Sequence, residues 1–241
     1  MWIWRHPEPN KKYLLSADVA RGDGADFSAF HIIDLETLEQ VAEYKGKEDT
    51  TRYASILMSV ATEYNDALLV VENNNVGWAV LQSLIDRDYK NLFWMKKDLK
   101  YVDANRQHTN KYRNENKYMV PGFTTSMKSR PLIIDKLAQF IREKSIKINS
   151  IRLIEELFVF IFNNGKAEAL KGYNDDLVMS MAIGLWIRET ALKLHAENIA
   201  LQREAMKSVD ANSGVYKVEE EEDYGWKQHV GDKKESLTWL I

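Results

Sequence analysis

Short apolar runs separated by polar turns dominate the first half of the chain. Three of these runs, Tyr13–Ala20, Ser28–Asp34 and Gln40–Lys45, have the length and composition of β-strands, and their short connections indicate an antiparallel meander. Over Thr51–Asn65 the apolar positions instead recur at helical spacing. The strand, helix and strand that follow are predicted at Ala67–Glu72, Val76–Asp88 and Asn91–Met95. The order βββαβαβ predicts an α/β fold in which a mixed five-stranded sheet carries helices on its faces.

The second half of the chain is predicted to be mostly helical after a long polar stretch. Residues 98–130 show little periodicity, which is typical of a functional or mobile loop. The later elements are helices at Pro131–Glu143, Arg152–Phe162 and Leu177–Leu194, with a strand or hairpin at Ala167–Lys171. The last helix is apolar nearly all round, which indicates deep packing. These patterns divide the chain into a domain at 1–197, with a basic insertion at 96–130, and a helical, acidic tail at 198–241.

Composition excludes several classes of protein. The chain has 241 residues, of which 45% are apolar and 29% charged, as expected of a globular protein rather than a disordered or fibrous one. It has no cysteine, which excludes disulfide scaffolds, thiolate zinc sites and cysteine nucleophiles. No apolar run is long enough to cross a bilayer, and the first residues lack the apolar core of a secretory signal. We therefore expect a soluble, intracellular protein that does not bind membranes.

Charge is distributed unevenly along the chain, although the net charge is only −3. Residues 96–130 contain nine Lys and Arg against three Asp and Glu, a local net charge of +6. Residues 203–241 are acidic, with a local net charge of −3. A basic segment with interleaved tyrosines favours binding to nucleic-acid phosphates, and a solvated loop is the alternative. The basic residues of this segment are Lys96, Lys97, Lys100, Arg106, Lys111, Arg113, Lys117, Lys128 and Arg130.

Acidic residues occupy three places where an apolar segment meets a turn. Asp18 interrupts an apolar strand, and Glu72 ends another. The pair Asp175 and Asp176 immediately precedes the most apolar helix. If these elements converge, several carboxylates meet, and they need a divalent cation to remain ionised together. All-oxygen ligands select Mg²⁺ or Mn²⁺ over zinc, and Asp26 lies near enough to Asp18 in sequence to join an outer shell.

Each of these acids also has a purely structural interpretation. Asp175 or Asp176 stands where a helix N-cap is expected, and Glu72 stands where a strand end meets solvent. Asp26 is explained most simply as a turn residue. Asp18 has the weakest structural explanation, because an aspartate inside an apolar strand needs a partner when it is buried.

Three segments resemble the nuclease motifs of a known family. Ser16–Phe30 (SADVARGDGADFSAF) resembles the first motif in the large terminase subunits of T4-type phages, members of the RNase H-like, retroviral-integrase superfamily. Val70–Gly77 (VVENNNVG) resembles their second, acidic motif, and Gly172–Ala182 (GYNDDLVMSMA) resembles their third. The likeness runs in order over residues 10–190. The three motifs together are fairly specific, whereas any one alone is weak.

The resemblance implies an RNase H-like, Mg²⁺-dependent endonuclease, with Mn²⁺ as a substitute, that cuts double-stranded concatemeric DNA during packaging with little sequence specificity. Its metal-binding and catalytic acids map to Asp18, Glu72 and either Asp175 or Asp176, with Asp176 preferred. Two ions bridged by Asp18 would activate water for in-line attack on phosphorus and stabilise the leaving 3′ oxygen. Arg21 is a candidate DNA-binding neighbour of the scissile phosphate. No catalytic histidine is expected, and the histidines predicted to lie on the surface are His31, His108 and His229.

Two features depart from the family pattern. Many relatives carry a further Asp three positions after the paired acids, where this chain has Met179, and this weakens the case for a second metal ion. The motor's P-loop, G-x-x-x-x-G-K followed by Ser or Thr, is absent, so the chain corresponds to the nuclease part alone. By resemblance, its partners are the ATPase motor domain, the portal and the small terminase subunit, in the cytoplasm of an infected bacterium.

Two other interpretations remain open. Another RNase H-like nuclease, such as a junction resolvase or a nuclease for RNA–DNA hybrids, would use the same fold and the same metal. A non-catalytic module that docks on DNA or protein would use the acids only as caps. Preference for branched or hybrid substrates identifies the first alternative. Absence of metal-dependent cleavage, with no loss of function in Asp18→Asn, identifies the second.

Overall fold

The computed structural model describes most of the first two hundred residues and two short strands near the end of the chain. The described residues are 1–22, 24, 26–96, 119–163, 166–188, 227–230 and 233–236. The chain divides into two units, Met1–Ala191 and Leu192–Ile241. In the second unit, Lys227–Val230 and Lys233–Ser236 pair as antiparallel strands. None of the helices within the described ranges is long and apolar enough to cross a membrane.

A mixed five-stranded sheet forms the centre of the first unit. Its strands are β1 (Trp2–Ile3), β2 (Tyr13–Asp18), β3 (Ser28–Asp34), β4 (Gln40–Gly46) and β5 (Leu68–Val71). They lie in the order β1-β4-β3-β2-β5. The pairs β2–β3 and β3–β4 are antiparallel, which confirms the predicted meander, and β5 runs parallel to β2.

The last predicted strand, Asn91–Met95, forms, but its residues pair with two different strands. Leu92 pairs in parallel with Leu69 of β5 through a single bridge, in which the Leu69 amide donates to the Asn91 carbonyl over 2.9 Å. The chain then continues as β6 (Trp94–Lys96), which pairs with β7 (Met119–Pro121). The fifth full strand is instead β1, which the sequence pattern did not predict because it has only two residues and both are exposed.

Helices cover both faces of the sheet. They are α1 (Thr50–Glu63), α2 (Gly77–Asp86), α3 (Ser129–Arg142), α4 (Ile151–Phe158) and α5 (residues 176–188). Along β2, Leu15 packs in one apolar cluster with α1 and α2, whereas Leu14 packs in a second cluster with α3 and α5. Alternate residues of a strand point to opposite faces, so a strand that is covered on both faces reads as one continuous apolar run.

The predicted helix at 152–162 is wrong in its second half. Helix α4 ends at Phe158, and Phe160–Asn163 (β8) pairs antiparallel with Lys166–Ala169 (β9). The connecting sequence Asn163-Asn164-Gly165 is typical of a tight hairpin turn. The apolar residues after Phe158 continue the helical period, which is why the pattern extended the helix too far.

Candidate metal centre

Two of the predicted acids lie side by side at one edge of the sheet. Asp18 is the last residue of β2, and Glu72 directly follows β5. These strands run parallel with Ala17 opposite Val71, and the Glu72 amide donates to the Ala17 carbonyl over 2.9 Å. Because the carboxyl ends of parallel neighbours meet at the same edge, both side chains reach one place.

The Asp18 carboxyl is strongly affected by its surroundings, Glu72 among them. Burial raises the pKa of Asp18 well above its usual range, and the charge of Glu72 and a hydrogen bond between the two carboxyls raise it further. Asp176 adds a smaller contribution in the same direction. One hydrogen bond acts the other way, because the Val19 amide donates to Asp18 over 2.8 Å. Asp18 is therefore an acid whose ionised form needs a positive charge.

Asp176 lies at the same edge of the sheet, on the side of Asp18 that faces away from Glu72. It is the first residue of α5 and is nearly buried, with 7% of its surface exposed. The Phe27 amide, just before β3, donates to its Oδ2 over 3.1 Å, and the Asn174 side chain donates over 3.3 Å. Burial raises the pKa of Asp176 to about 6, against the lowering effects of Phe27 and Lys45. Since β2 lies between β3 and β5, Asp18 is the central member of the three.

The structure distinguishes between the paired aspartates. Asp175 forms an ion pair with the Arg130 guanidinium, and the Arg130 Nε also donates to the Ala167 carbonyl over 3.4 Å. The pKa of Asp18 responds to Asp176, and Asp175 is not among the groups that shift it. Asp176 is therefore the member of the pair whose charge acts on Asp18, whereas Asp175 forms an ion pair with the predicted DNA ligand Arg130.

Three residues that the sequence analysis did not single out shape the chain around Glu72. The Asn74 side chain donates both to Glu72 Oε1 over 3.1 Å and to the Thr125 carbonyl over 2.7 Å. Asn73 is buried, and its side chain donates to the Pro121 carbonyl over 3.0 Å. A Cβ at Gly77 would overlap the Glu72 carbonyl, so α2 begins this close to Glu72 only because Gly77 has no side chain. The run of three asparagines after an apolar strand was the signal for these contacts.

A buried ion pair adjoins Asp176, and its one signal in the sequence is a Glu inside an apolar helix. The Lys45 ammonium contacts Glu156 Oε1 and lies 3.9 Å from Asp176 Oδ2. Glu156 Oε2 accepts hydrogen bonds from the amides of Leu177 over 2.9 Å and Val178 over 3.2 Å. Glu156 of α4 therefore caps the helix that begins with Asp176.

A shallow cavity of about 160 Å³ opens beside the acids. Arg21, Asp26 and Asn75 are among the residues that line it. Asp26 is exposed and lies beyond Asn174, whose side chain donates to Asp26 Oδ1 over 3.5 Å. Asn174 thus links Asp26 to Asp176, whereas the sequence analysis considered Asp26 only as a neighbour of Asp18. Met179 faces the core and offers no ligand.

The donor chemistry of this edge fits a hard divalent cation, although the ligands are not yet closed around one. Asp18, Glu72 and Asp176 supply only oxygen donors, and Asp18 carries an electrostatic penalty that a cation would relieve. In the part of the chain that the structure describes, however, no three Asp, Glu or His side chains lie close enough together to hold one ion as they stand. Closure of these carboxylates on an ion therefore requires side-chain movement.

The basic insertion leaves and re-enters the fold close to the acids. Trp94 pairs with Pro121 and Gly122, and the next residue, Phe123, pairs with Glu72. The chain thus departs after β6 and returns at β7, beside Glu72. Of the predicted DNA ligands there, Lys128 is described and exposed. The residues that lie outside the described ranges are Lys97, Lys100, Arg106, Lys111, Arg113 and Lys117, and for Lys96 only the backbone is described.

The prediction that His31 lies on the surface is wrong. His31 is fully buried in β3, where its Nε2 lies 3.0 Å from the Leu177 carbonyl and its Nδ1 lies 2.7 Å from the Gln40 side-chain nitrogen. Burial lowers the pKa of His31 to about 4. A neutral, hydrogen-bonded imidazole of this kind serves packing. His108 and the side chain of His229 lie outside the described residues.

The fold of the chain is similar to that of solved nucleases from phage large terminases. The chain is 18% identical to the large terminase nuclease from thermophilic phage G20c with bound magnesium, with a TM-score of 0.57 over 76% of this chain and 85% of that one. The same nuclease with bound cobalt gives the same values. The large terminase nuclease domain of Thermus phage P74-26 is also 18% identical, with a TM-score of 0.54 over 76% of this chain and 82% of that one. No protein-family model matches the chain.

These likenesses concern the fold. The first unit has the mixed-sheet architecture of large terminase nucleases, which confirms the predicted fold class and the resemblance to that kind of domain. The narrower likeness to T4-type phages stays a prediction.

Proposed function

We propose that this chain is a metal-dependent endonuclease that cuts double-stranded DNA during the packaging of a phage genome. The observation that carries the proposal is the approach of Asp18, Glu72 and Asp176 at one edge of the sheet, where the charges of Glu72 and Asp176 both raise the pKa of the buried Asp18 carboxyl. Structural acids are normally paired with cations or caps, as Asp175 is with Arg130. The fold supports the proposal, since the nucleases that share it were solved with magnesium and with cobalt.

In this proposal the three carboxylates hold Mg²⁺, for which Mn²⁺ substitutes. Bound Mg²⁺ supplies charge stabilisation at the phosphate and a more acidic water. Asp18, as the central acid, would hold the metal together with Glu72 and Asp176. Asn74 keeps Glu72 turned toward Asp18, and Phe27 and Asn174 orient Asp176. His31 is assigned no proton transfer, because it is buried away from solvent.

The substrate side of the proposal depends on charge. Arg21 lines the cavity next to the acids, and in this proposal it binds a backbone phosphate. The insertion, which begins and ends beside Glu72, supplies further phosphate contacts that give affinity with little sequence preference. The ATPase motor domain, portal and small terminase subunit are proposed as partners, and the cytoplasm of the infected bacterium as the place of action.

Cleavage of supercoiled plasmid by the full chain tests this function. The assay compares Mg²⁺, Mn²⁺ and EDTA for the native chain, for Asp18→Asn, and for Asp135→Asn as a matched control on the exposed side of α3. We expect nicking and linearisation that require a divalent cation, that are lost in Asp18→Asn and that persist in Asp135→Asn.

Other outcomes separate the alternatives. Efficient cleavage of four-way junctions or RNA–DNA hybrids, with plain duplex left intact, would favour another RNase H-like nuclease. Failure of the native chain both to cleave any of these substrates and to bind Mn²⁺ in calorimetry would contradict the nuclease function and leave the docking module.

A further inference from the structure

Lys45 lies near two carboxylates, and it is closer to one, Glu156, than to the other, Asp176. It projects from β4, keeps only 16% of its side chain exposed, and rests 4.9 Å from the centre of the Phe27 ring. Its ammonium contacts Glu156 directly and remains 3.9 Å from Asp176 Oδ2, a distance that exceeds a hydrogen bond. Because most of the Lys45 side chain is buried, its ion pair with Glu156 determines how closely the ammonium approaches Asp176.

Glu156 has one oxygen for each of two tasks. Oε2 accepts the amides of Leu177 and Val178, and Oε1 holds Lys45. The backbone of α5 and the ammonium are thereby both fixed relative to Asp176. A carboxylate that is nearly buried keeps such an arrangement because each of its oxygens has a partner.

We propose that Glu156 is a positioning residue that holds the Lys45 ammonium off Asp176 and so keeps Asp176 open to a divalent cation. This role rests on the proposed function, in which Asp176 is a metal ligand. Without the carboxylate of Glu156, the nearest anionic oxygen to Lys45 is that of Asp176, and a direct Lys45–Asp176 ion pair competes with the metal.

Mn²⁺ binding measured by calorimetry tests this role without any activity assay. The full chain is compared with Glu156→Gln, Lys45→Met and the double variant at pH 8. Gln keeps an oxygen for the Leu177 and Val178 amides, so Glu156→Gln removes the charge while it preserves the cap. Lys47→Met is the matched control, because Lys47 also lies over the Phe27 ring, at 4.8 Å, but is exposed and forms no ion pair with Asp176.

We expect the Mn²⁺ affinity that is lost in Glu156→Gln to be restored in the double variant. Glu156→Gln should weaken Mn²⁺ binding about tenfold, within the range for coupled neighbouring residues, whereas Lys45→Met should tighten it. The double variant should bind as tightly as Lys45→Met, because the competing ammonium is gone. Lys47→Met should leave the affinity unchanged.

Two results would overturn the role, and a third would overturn the proposed function. If the double variant binds Mn²⁺ as weakly as Glu156→Gln, the loss of affinity does not come from Lys45. If Glu156→Gln proves unfolded by circular dichroism, Lys45→Met alone decides, and weaker Mn²⁺ binding in that variant contradicts the proposal. A native chain that binds no Mn²⁺ contradicts the proposed function itself, whereas a native chain that binds, with no rescue in the double variant, contradicts only this role.

Discussion

Replacement of Asp176 by Asn should stabilise the metal-free protein. Burial raises the pKa of Asp176 from 3.8 to about 6, so above this pH the fold carries an ionised carboxylate that it disfavours. A shift of about two units corresponds to a cost of about 3 kcal/mol at neutral pH. Asn has the same shape, retains an oxygen for the Phe27 amide and never ionises. For a folded unit of this size, about 3 kcal/mol raises Tm by about 6–12 °C.

The pH dependence follows from the direction of the shift. A carboxyl with a raised pKa stays protonated in the folded state between pH 3.8 and about 6, while it ionises in the unfolded state. Its favourable contribution is therefore complete below 3.8 and is lost as the pH rises through about 6. Asp176→Asn avoids this loss, so its advantage over the native chain should be small at pH 4, grow through pH 5 and level off above pH 7.

Thermal unfolding in EDTA, followed by circular dichroism from pH 4 to pH 8, measures this difference. Asp175→Asn is the control, because it removes a partly exposed ion pair with Arg130 and should lower the free energy of unfolding by at most about 1 kcal/mol. Added Mn²⁺ should raise the Tm of the native chain and not that of Asp176→Asn. A Tm for Asp176→Asn at or below the native value in EDTA at pH 8 would refute this reasoning.

Three further substitutions probe the supports of the site. Gly77→Ala should lower Tm and weaken Mn²⁺ binding in calorimetry, because the new methyl group overlaps the Glu72 carbonyl; unchanged affinity would show that Glu72 does not depend on this close approach. Asn74→Ala should reduce plasmid cleavage about 10- to 100-fold with an unchanged circular dichroism spectrum, as is typical for partners of metal ligands. Asp175→Asn should cleave within a few-fold of the native rate while Asp176→Asn is inactive, and the opposite ranking in the same assay would reverse our choice between them.

The sequence was sufficient for the positions of Asp18 and Glu72 because each depends on one strand. An acid at the end of an apolar strand is visible in a linear pattern, and parallel pairing of β2 with β5 then brings the two together. The choice between Asp175 and Asp176 depends on a third element, since Arg130 of α3 pairs with the first and leaves the second to face Asp18. No local pattern carries that information, so both remained candidates.

Long-range contacts also account for the errors. His31 is polar and lies in a strand with helices on both faces, so alternation did not reveal that it is fully buried against Leu177. Lys45 and Glu156 are far apart in sequence, and each reads alone as an ordinary surface charge. Their pairing exists only once β4, α4 and α5 are packed together. What the sequence lacks is thus the packing of elements whose individual patterns it specifies well.

Anomalous X-ray diffraction from crystals of the full chain soaked in Mn²⁺ tests whether Asp18 and its neighbouring acids bind the metal. We predict an anomalous peak at the carboxyl ends of β2 and β5, from a Mn²⁺ ion that contacts Asp18 together with Glu72 or Asp176. This peak should be lost in Asp18→Asn. A peak bound elsewhere in a chain that still cleaves DNA, with Asp18 unliganded, would contradict it.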